Sequence, residues 1–248
     1  IYVGHFTDSL FDGHGTYTAV DGAKYTGAWL AGKRQGRGMQ VYADQGVYTG
    51  TFNDDMPEGL GQYRGVDGTA YAGEWVSGMR MGQGLYDSAG GDRYIGGFIA
   101  DQFDGEGTYA AVNGDYYAGD WRRGKRAGRG IQTYADGGVY DGDFADGIRA
   151  GLGKYRDPDS GTYTGEWVGD AGSGQGLFVA PNGDRYLGAF AANLFDGQGV
   201  YEAVAGNQYQ GTWSAGKRNG RGTETYADGG AYDGDFVDDI RKGIGHYV

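Results

Sequence analysis

The 248 residues include 55 Gly, 22 Tyr, 10 Phe and 5 Trp, with 3 Pro and no Cys, and they carry a formal net charge of -12. No stretch free of Gly exceeds 8 residues, and each Gly inside a helix costs about 1 kcal/mol relative to Ala, so helical bundles and βαβ folds are excluded. A spanning helix needs about 20 predominantly apolar residues and finds no place here, while 39% hydrophobic and 15% aromatic residues are too many for a disordered Gly-rich linker.

From the N-terminus, the first predicted element is a strand opening at Tyr2, and its pattern returns with Tyr25, Tyr48, Tyr71, Tyr94, Tyr117, Tyr140, Tyr163, Tyr186, Tyr209 and Tyr232, always 23 residues on. Each copy has Gly two residues after the Tyr, Phe or Trp four after, and Gly again eleven and thirteen after, as in Tyr25, Gly27, Trp29, Gly36 and Gly38. Alternation in Tyr-x-Gly-x-Trp and in Gly59-x-Gly61-x-Tyr63 is the period of a strand. Each repeat therefore reads as a β-hairpin, with strands over repeat positions 1 to 6 and 12 to 18, numbered from the Tyr, and about six loop residues between them. Turns such as Asp21-Gly22, Asp67-Gly68, Asn113-Gly114 and Asn182-Gly183 join one repeat to the next. Glycine within a strand implies a close approach, and here the Gly columns make room for rings.

The expected fold is all-β: an elongated, single-layer, twisted antiparallel sheet of stacked hairpins, one continuous array over residues 1–248. Two-strand units at the usual strand spacing would give a ribbon about 100 Å long. The last repeat is incomplete and residue 1 is not Met, which suggests a fragment.

The ring at position 5 alternates strictly along the chain: Phe6, Trp29, Phe52, Trp75, Phe98, Trp121, Phe144, Trp167, Phe190, Trp213, Phe236. A 92-residue period is superposed, so that Leu10-Phe11-Asp12-Gly13 returns as Gln102-Phe103-Asp104-Gly105 and Leu194-Phe195-Asp196-Gly197. A contiguous apolar stripe marks an interaction site. The aromatic face made by Trp29, Trp75, Trp121, Trp167 and Trp213 with Phe52, Phe98, Phe144 and Phe190 is therefore expected to bind a helix, an extended segment or another copy of the chain.

Basic residues concentrate in repeats two, six and ten, which hold 11 of the 21: Lys33, Arg34, Arg37, then Arg122, Arg123, Lys125, Arg126, Arg129, then Lys217, Arg218, Arg221. Two readings stay open for them. They offer periodic contacts to acidic protein or phospholipid, or they are neutralised by cross-strand Asp and Glu. The overall negative field disfavours nucleic acid.

Signals of catalysis or cofactor binding are weak. Gly27 to Lys33 has the first seven positions of a phosphate-binding loop, but Arg34 stands where Ser or Thr would hold magnesium. His5, His14 and His246 form no zinc pattern, and Asp141, Asp143, Asp146 and Asp233, Asp235, Asp238 lack a calcium loop and read as solvent-facing. No Ser lies beside a His, so no enzyme activity, cofactor or metal is expected. Absence of Cys, with no signal-peptide pattern, favours a reducing, cytoplasmic compartment.

The pattern Tyr-x-Gly-x-Trp, loop, Gly-x-Gly and turn at a pitch of 23 residues resembles the MORN repeat (membrane occupation and recognition nexus) over residues 2–248. That resemblance implies a twisted sheet of hairpins with a groove for a helical or extended partner. Such arrays occur in ciliary radial-spoke heads, cytoskeletal scaffolds and junctophilins, and beside lipid-kinase and methyltransferase domains. It therefore implies a scaffold docking other proteins in a cilium, flagellar axoneme or the cytoskeleton, with a phospholipid tether or the targeting region of an enzyme as alternatives. Gly32, Gly78, Gly124 and Gly216 stand where other copies have Ser9, Asp55, Asp101, Asp170, Asn193 or Asp239, and differently shaped loops are expected there.

Overall fold

The computed structural model describes all 248 residues, as 22 strands and no helix. They fall into two compact units, residues 1–125 and 126–248. In each unit every strand pairs antiparallel with its neighbours in sequence, giving one layer of sheet.

The second repeat shows how the sequence builds a hairpin. Strand β3 (Lys24–Leu30) meets β4 (Lys33–Val41) through a two-residue turn, Ala31-Gly32, whose φ values are 48° and 84°. Both φ angles are positive, the turn geometry whose twist matches a right-handed strand pair. Two expectations are corrected here. The six-residue loop does not exist, because the second strand starts at position 9 rather than 12. Nor do the Gly-turn copies differ in shape: Asp54-Asp55, with φ of 46° and 72°, and Ala192-Asn193, with 49° and 68°, make the same turn. Asp and Asn tolerate this region well enough that Gly is not required.

Positions 9 to 11 looked like loop because a bulge breaks their alternation. Gly27 pairs with Gly38 and Trp29 with Arg34, leaving three residues of β4 opposite Ala28 alone. Gly36, within that bulge, has φ of +68° and pairs onward with Phe52 of β5 (Val47–Asn53). The three Gly columns thus have two jobs. Gly36 and its equivalents accommodate the bulge, whereas Gly27 and Gly38 lie side by side under the Tyr25 ring, where a Cβ on Gly27 would come 2.7 Å from Cζ of Tyr25 and 2.6 Å from Cα of Gly38.

The core is this ring layer. Tyr25 and Tyr48 are 1% and 0% exposed although only one sheet supports them, because aromatic neighbours close over their edges. Tyr25 sits edge-to-face with Trp29 at 5.0 Å and with Phe52 of the next repeat at 5.0 Å, and Tyr48 likewise with Phe52 at 5.1 Å and Trp75 at 5.2 Å. The hydroxyls donate to bulge-side carbonyls, Tyr25 to Ala28 at 2.9 Å and Tyr48 to Thr51 at 3.0 Å. Each Trp adds a bond that Phe lacks, its Nε1–H donating to a Gly carbonyl of the preceding repeat, as from Trp29 to Gly15 at 3.3 Å and from Trp167 to Gly153 at 3.1 Å. The Asp-Gly and Asn-Gly connections form as expected, with Gly22 at φ +89° and Gly183 at φ +92°.

Candidate protein-docking face

Sequence reasoning places the Trp and Phe rings on an open stripe; the structure makes them core. Trp29, Trp75, Trp121, Trp167 and Trp213 are all below a tenth exposed, as are Phe52, Phe98, Phe144 and Phe190. What covers them is repeat position 10, a column the sequence pattern did not single out. It holds Phe11, Arg34, Pro57, Arg80, Phe103, Arg126, Arg149, Gly172, Phe195, Arg218 and Arg241 in chain order.

Position 10 pairs across its own hairpin with the position-5 ring, as Arg34 with Trp29, and its side chain lies over the lead Tyr. Phe11 stacks on Tyr2 at 3.8 Å, Phe103 on Tyr94 at 3.8 Å and Phe195 on Tyr186 at 3.7 Å. Where position 10 is Arg, the guanidinium takes the same place by cation–π contact, 5.8 Å from the Tyr25 centroid for Arg34 and 5.7 Å from that of Tyr71 for Arg80. Arg149 also lies 4.3 Å from the Trp167 centroid.

The same position docks the next repeat's turn. The N–H of the second turn residue donates to the position-10 carbonyl, as from Gly32 to Phe11 at 2.8 Å and from Asp55 to Arg34 at 3.1 Å. When that turn residue is Asp, its carboxylate accepts from both the backbone N and Nε of the position-10 Arg: Asp55 from Arg34 at 2.9 and 3.2 Å, Asp101 from Arg80 at 3.0 and 2.9 Å. The loop departures noted in the sequence therefore track the residue they face. Asp at the turn goes with Arg at position 10, and Gly32, Gly78, Gly124 and Gly216 go with Phe11, Pro57, Phe103 and Phe195, the exception being Gly147, which faces Arg126.

The basic residues thus serve mainly the sheet. Arg34, Arg126 and Arg218 lie in strands on the ring side; Arg126 donates to Gln132 at 2.7 Å and to the Gly147 carbonyl at 2.6 Å, and Arg218 to Glu224 at 2.7 Å. Lys33 pairs with Asp54 at 3.3 Å and Lys217 with Asp238 at 3.6 Å. Arg129 and Arg221 pair with Asp141 and Asp233, each at 3.0 Å, on the opposite face, which accounts for two of the acidic clusters. Arg37 lines a broad hollow on that opposite face beside Met39 and Leu60. Arg122, Arg123 and Lys125 surround the turn at Gly124, and the Arg123 amide donates to Asp104 at 3.1 Å. The phosphate-loop look-alike, Gly27 to Lys33, is strand and turn with no helix after it. His5 stands opposite Asp12 and His14 opposite Ala28, both exposed.

On the ring side hollows remain between the covering side chains. One hollow of about 520 Å³ lies beside Trp29, bounded by Tyr17, Ala23 and Arg34. Another of about 380 Å³ exposes parts of Trp167 and Phe190, and one of about 410 Å³ adjoins Trp213. Burial raises the phenol pKa of Tyr25, Tyr48, Tyr71, Tyr94, Tyr140, Tyr163 and Tyr186 to about 12, with nearby carboxylates adding at several of them. These hydroxyls are structural donors rather than acids available for chemistry near neutrality.

Against the family models, the MORN repeat matches eleven times in register, from residues 2–24 through to 232–248. The chain belongs to the MORN-repeat family. This MORN array is also similar to solved sheets of other proteins. The TCP10 domain of Danio rerio CPAP with a peptide of STIL is 12% identical, covers 98% of this chain and 96% of that one, and has a TM-score of 0.42. The TCP domain of Drosophila melanogaster SAS-4 with a proline-rich motif of Ana2 is 13% identical over 71% and 90% of the two chains, with a TM-score of 0.38. At these scores the likeness carries neither a partner nor a location to the MORN array. No curated protein matches the chain in sequence.

Proposed function

We propose that this MORN array is a non-catalytic scaffold that docks a protein partner, a helix or an extended segment, along its ring-side face. The cytoskeleton, or a cilium or flagellum, is the setting proposed by analogy with other MORN arrays. The observation that supports docking is that hollows remain between the side chains covering the rings, beside Trp29, Trp167 and Trp213. Concave, largely apolar sites with a few polar groups at their rim are where ligands bind. Membership of a repeat family whose arrays are interaction modules supports the same reading.

Because the Trp and Phe rings are core, replacing them would unfold the sheet before it tested docking. The test uses positions that tolerate change. A photo-crosslinking amino acid is placed at Leu194, which is 49% exposed at the rim of the middle hollow, or at Leu187, which is 60% exposed on the opposite face. We expect a cytoskeletal or axonemal protein to crosslink from Leu194 and not from Leu187. Crosslinks from Leu187 alone, or from neither, would overturn the proposal.

A further inference from the structure

Position 10 is filled by a flat or ring-bearing side chain in every repeat but one. At Gly172 the Tyr163 ring has no such cover. Tyr163 is 8% exposed, where Tyr140 and Tyr186 on either side are 0% exposed, and the uncovered place is the hollow of about 380 Å³. A comparison with the repeat 92 residues earlier shows what has been removed. There Arg80 lies 5.7 Å from the centroid of Tyr71 and 5.0 Å from that of Tyr86, and its Nε donates to Asp101 at 2.9 Å. Tyr163, Gly172, Phe178 and Asn193 stand at the places of Tyr71, Arg80, Tyr86 and Asp101. The cation, its carboxylate and the neighbouring hydroxyl have all gone together.

We propose that this bare place on Tyr163 is a receptor for an aromatic side chain of the partner's docked segment, an inference that rests on the docking reading above. The turn Asp101 that pairs Arg80 and the Gln132 oxygen that accepts from Arg126 are replaced here by Asn193 and Phe178, and burying an unpaired charge is costly, so the occupant is neutral. Asn193 still holds the frame, its Oδ1 accepting from the Gly172 amide at 2.7 Å and its own N–H donating to the Gly172 carbonyl at 2.8 Å. The walls are Phe178, Leu194 and Phe195. Within this chain the neutral occupant of the equivalent place is Phe three times, stacked at 3.7 to 3.8 Å, and Pro once. Aromatic side chains seated in such pockets dominate interface energies, and stacking adds to the burial of the ring.

The full chain is titrated with N-acetylphenylalaninamide and, separately, N-acetylprolinamide, following saturation transfer from the protein to each by NMR. Transfer to the phenyl protons is expected for the wild type, and its loss in Gly172→Phe, which supplies the occupant in cis as in three other repeats. Gly172 does not require positive φ, and its added Cβ would come 3.0 Å from the Tyr163 ring, while Phe at the equivalent place stacks on the lead Tyr at 3.7 to 3.8 Å in three repeats. A second variant, Gly172→Arg with Asn193→Asp, rebuilds the Arg80 and Asp101 pair and is expected to abolish transfer as well, so the test survives a folding failure of the first. No transfer in the wild type, equal transfer in a folded filled variant, or transfer to the proline amide in preference to the phenyl would each overturn the inference. Crosslinking from Leu194 without phenyl transfer would sink the aromatic receptor and leave the docking face standing.

Discussion

At the scale of single residues, the fold depends on laying a large ring flat on bare backbone. Gly50 and Gly61 pair across their hairpin under Tyr48, and a Cβ on Gly50 would fall 2.7 Å from Cζ of that ring and 2.8 Å from Cα of Gly61. The ring covers backbone that two glycines would otherwise expose, and its hydroxyl reaches the bulge carbonyl of Thr51 at 3.0 Å. That hydroxyl must stay protonated for the arrangement to persist. An acid whose pKa is higher folded than unfolded stabilises the fold fully below its ordinary value and loses that contribution as pH rises through the folded value. With burial lifting seven lead tyrosines from 10.0 to about 12, the window of loss lies between those two values. We expect unfolding by circular dichroism to coincide with a steep rise in tyrosinate absorbance within that window. A gradual rise in absorbance with the sheet signal intact would contradict it.

At the scale of the hairpin, the turn of one repeat is fastened by position 10 of the repeat before, so the strands of neighbouring repeats are locked in register by more than ladder hydrogen bonds. Arg149 illustrates the joint. It lies 5.7 Å from the Tyr140 centroid and 4.3 Å from that of Trp167, its backbone N and Nε donate to Asp170 at 2.8 and 3.3 Å, and its Nη2 donates to the Asp170 carbonyl at 2.6 Å. Arg149→Ala is expected to lower stability by about 2 kcal/mol in urea unfolding, combining a partly desolvated cation–π contact with charge-assisted hydrogen bonds. Arg149→Lys should recover less than half, because a point charge cannot stack and bridge at once. Full recovery with Lys would reduce the joint to simple charge pairing. This joint also marks the limit of what the sequence disclosed. The Tyr, Gly and Phe/Trp columns were legible because each recurs in every repeat with a strict strand period, and the connections because Gly stands at the same place in most of them. Position 10 was not, since Phe11, Arg34, Pro57 and Gly172 share no chemistry that a column search detects, and the bulge at Gly36 shifts them out of alternation. The signal that would have found them is covariation inside the chain itself: Arg at position 10 recurs with Asp at the next turn in four of its copies, Arg34, Arg80, Arg149 and Arg218.

At the scale of the whole molecule, the two alternatives for the basic residues are separated by where their charge goes. Fields between exposed charges fade over a Debye length of about 8 Å at physiological ionic strength, so only local excesses of positive charge attract an acidic membrane. The structure leaves few such excesses: Lys33, Arg34, Arg129, Lys217, Arg218 and Arg221 each lie within ion-pair distance of a carboxylate of this chain. Binding lipid headgroups through them would mean breaking those pairs against a net charge of -12. Arg122 and Arg123 stand side by side at the turn before Gly124, and a single such pair contributes about 1 kcal/mol per basic residue near an anionic surface. That is too weak for stable anchoring once the surrounding acidic surface is counted. We therefore expect no co-sedimentation with phosphatidylcholine vesicles containing a phosphoinositide at physiological salt. If the array does sediment, losing the vesicles as salt rises and also on Arg122→Ala with Arg123→Ala, then that turn is a lipid contact and the array tethers membranes in addition to docking protein.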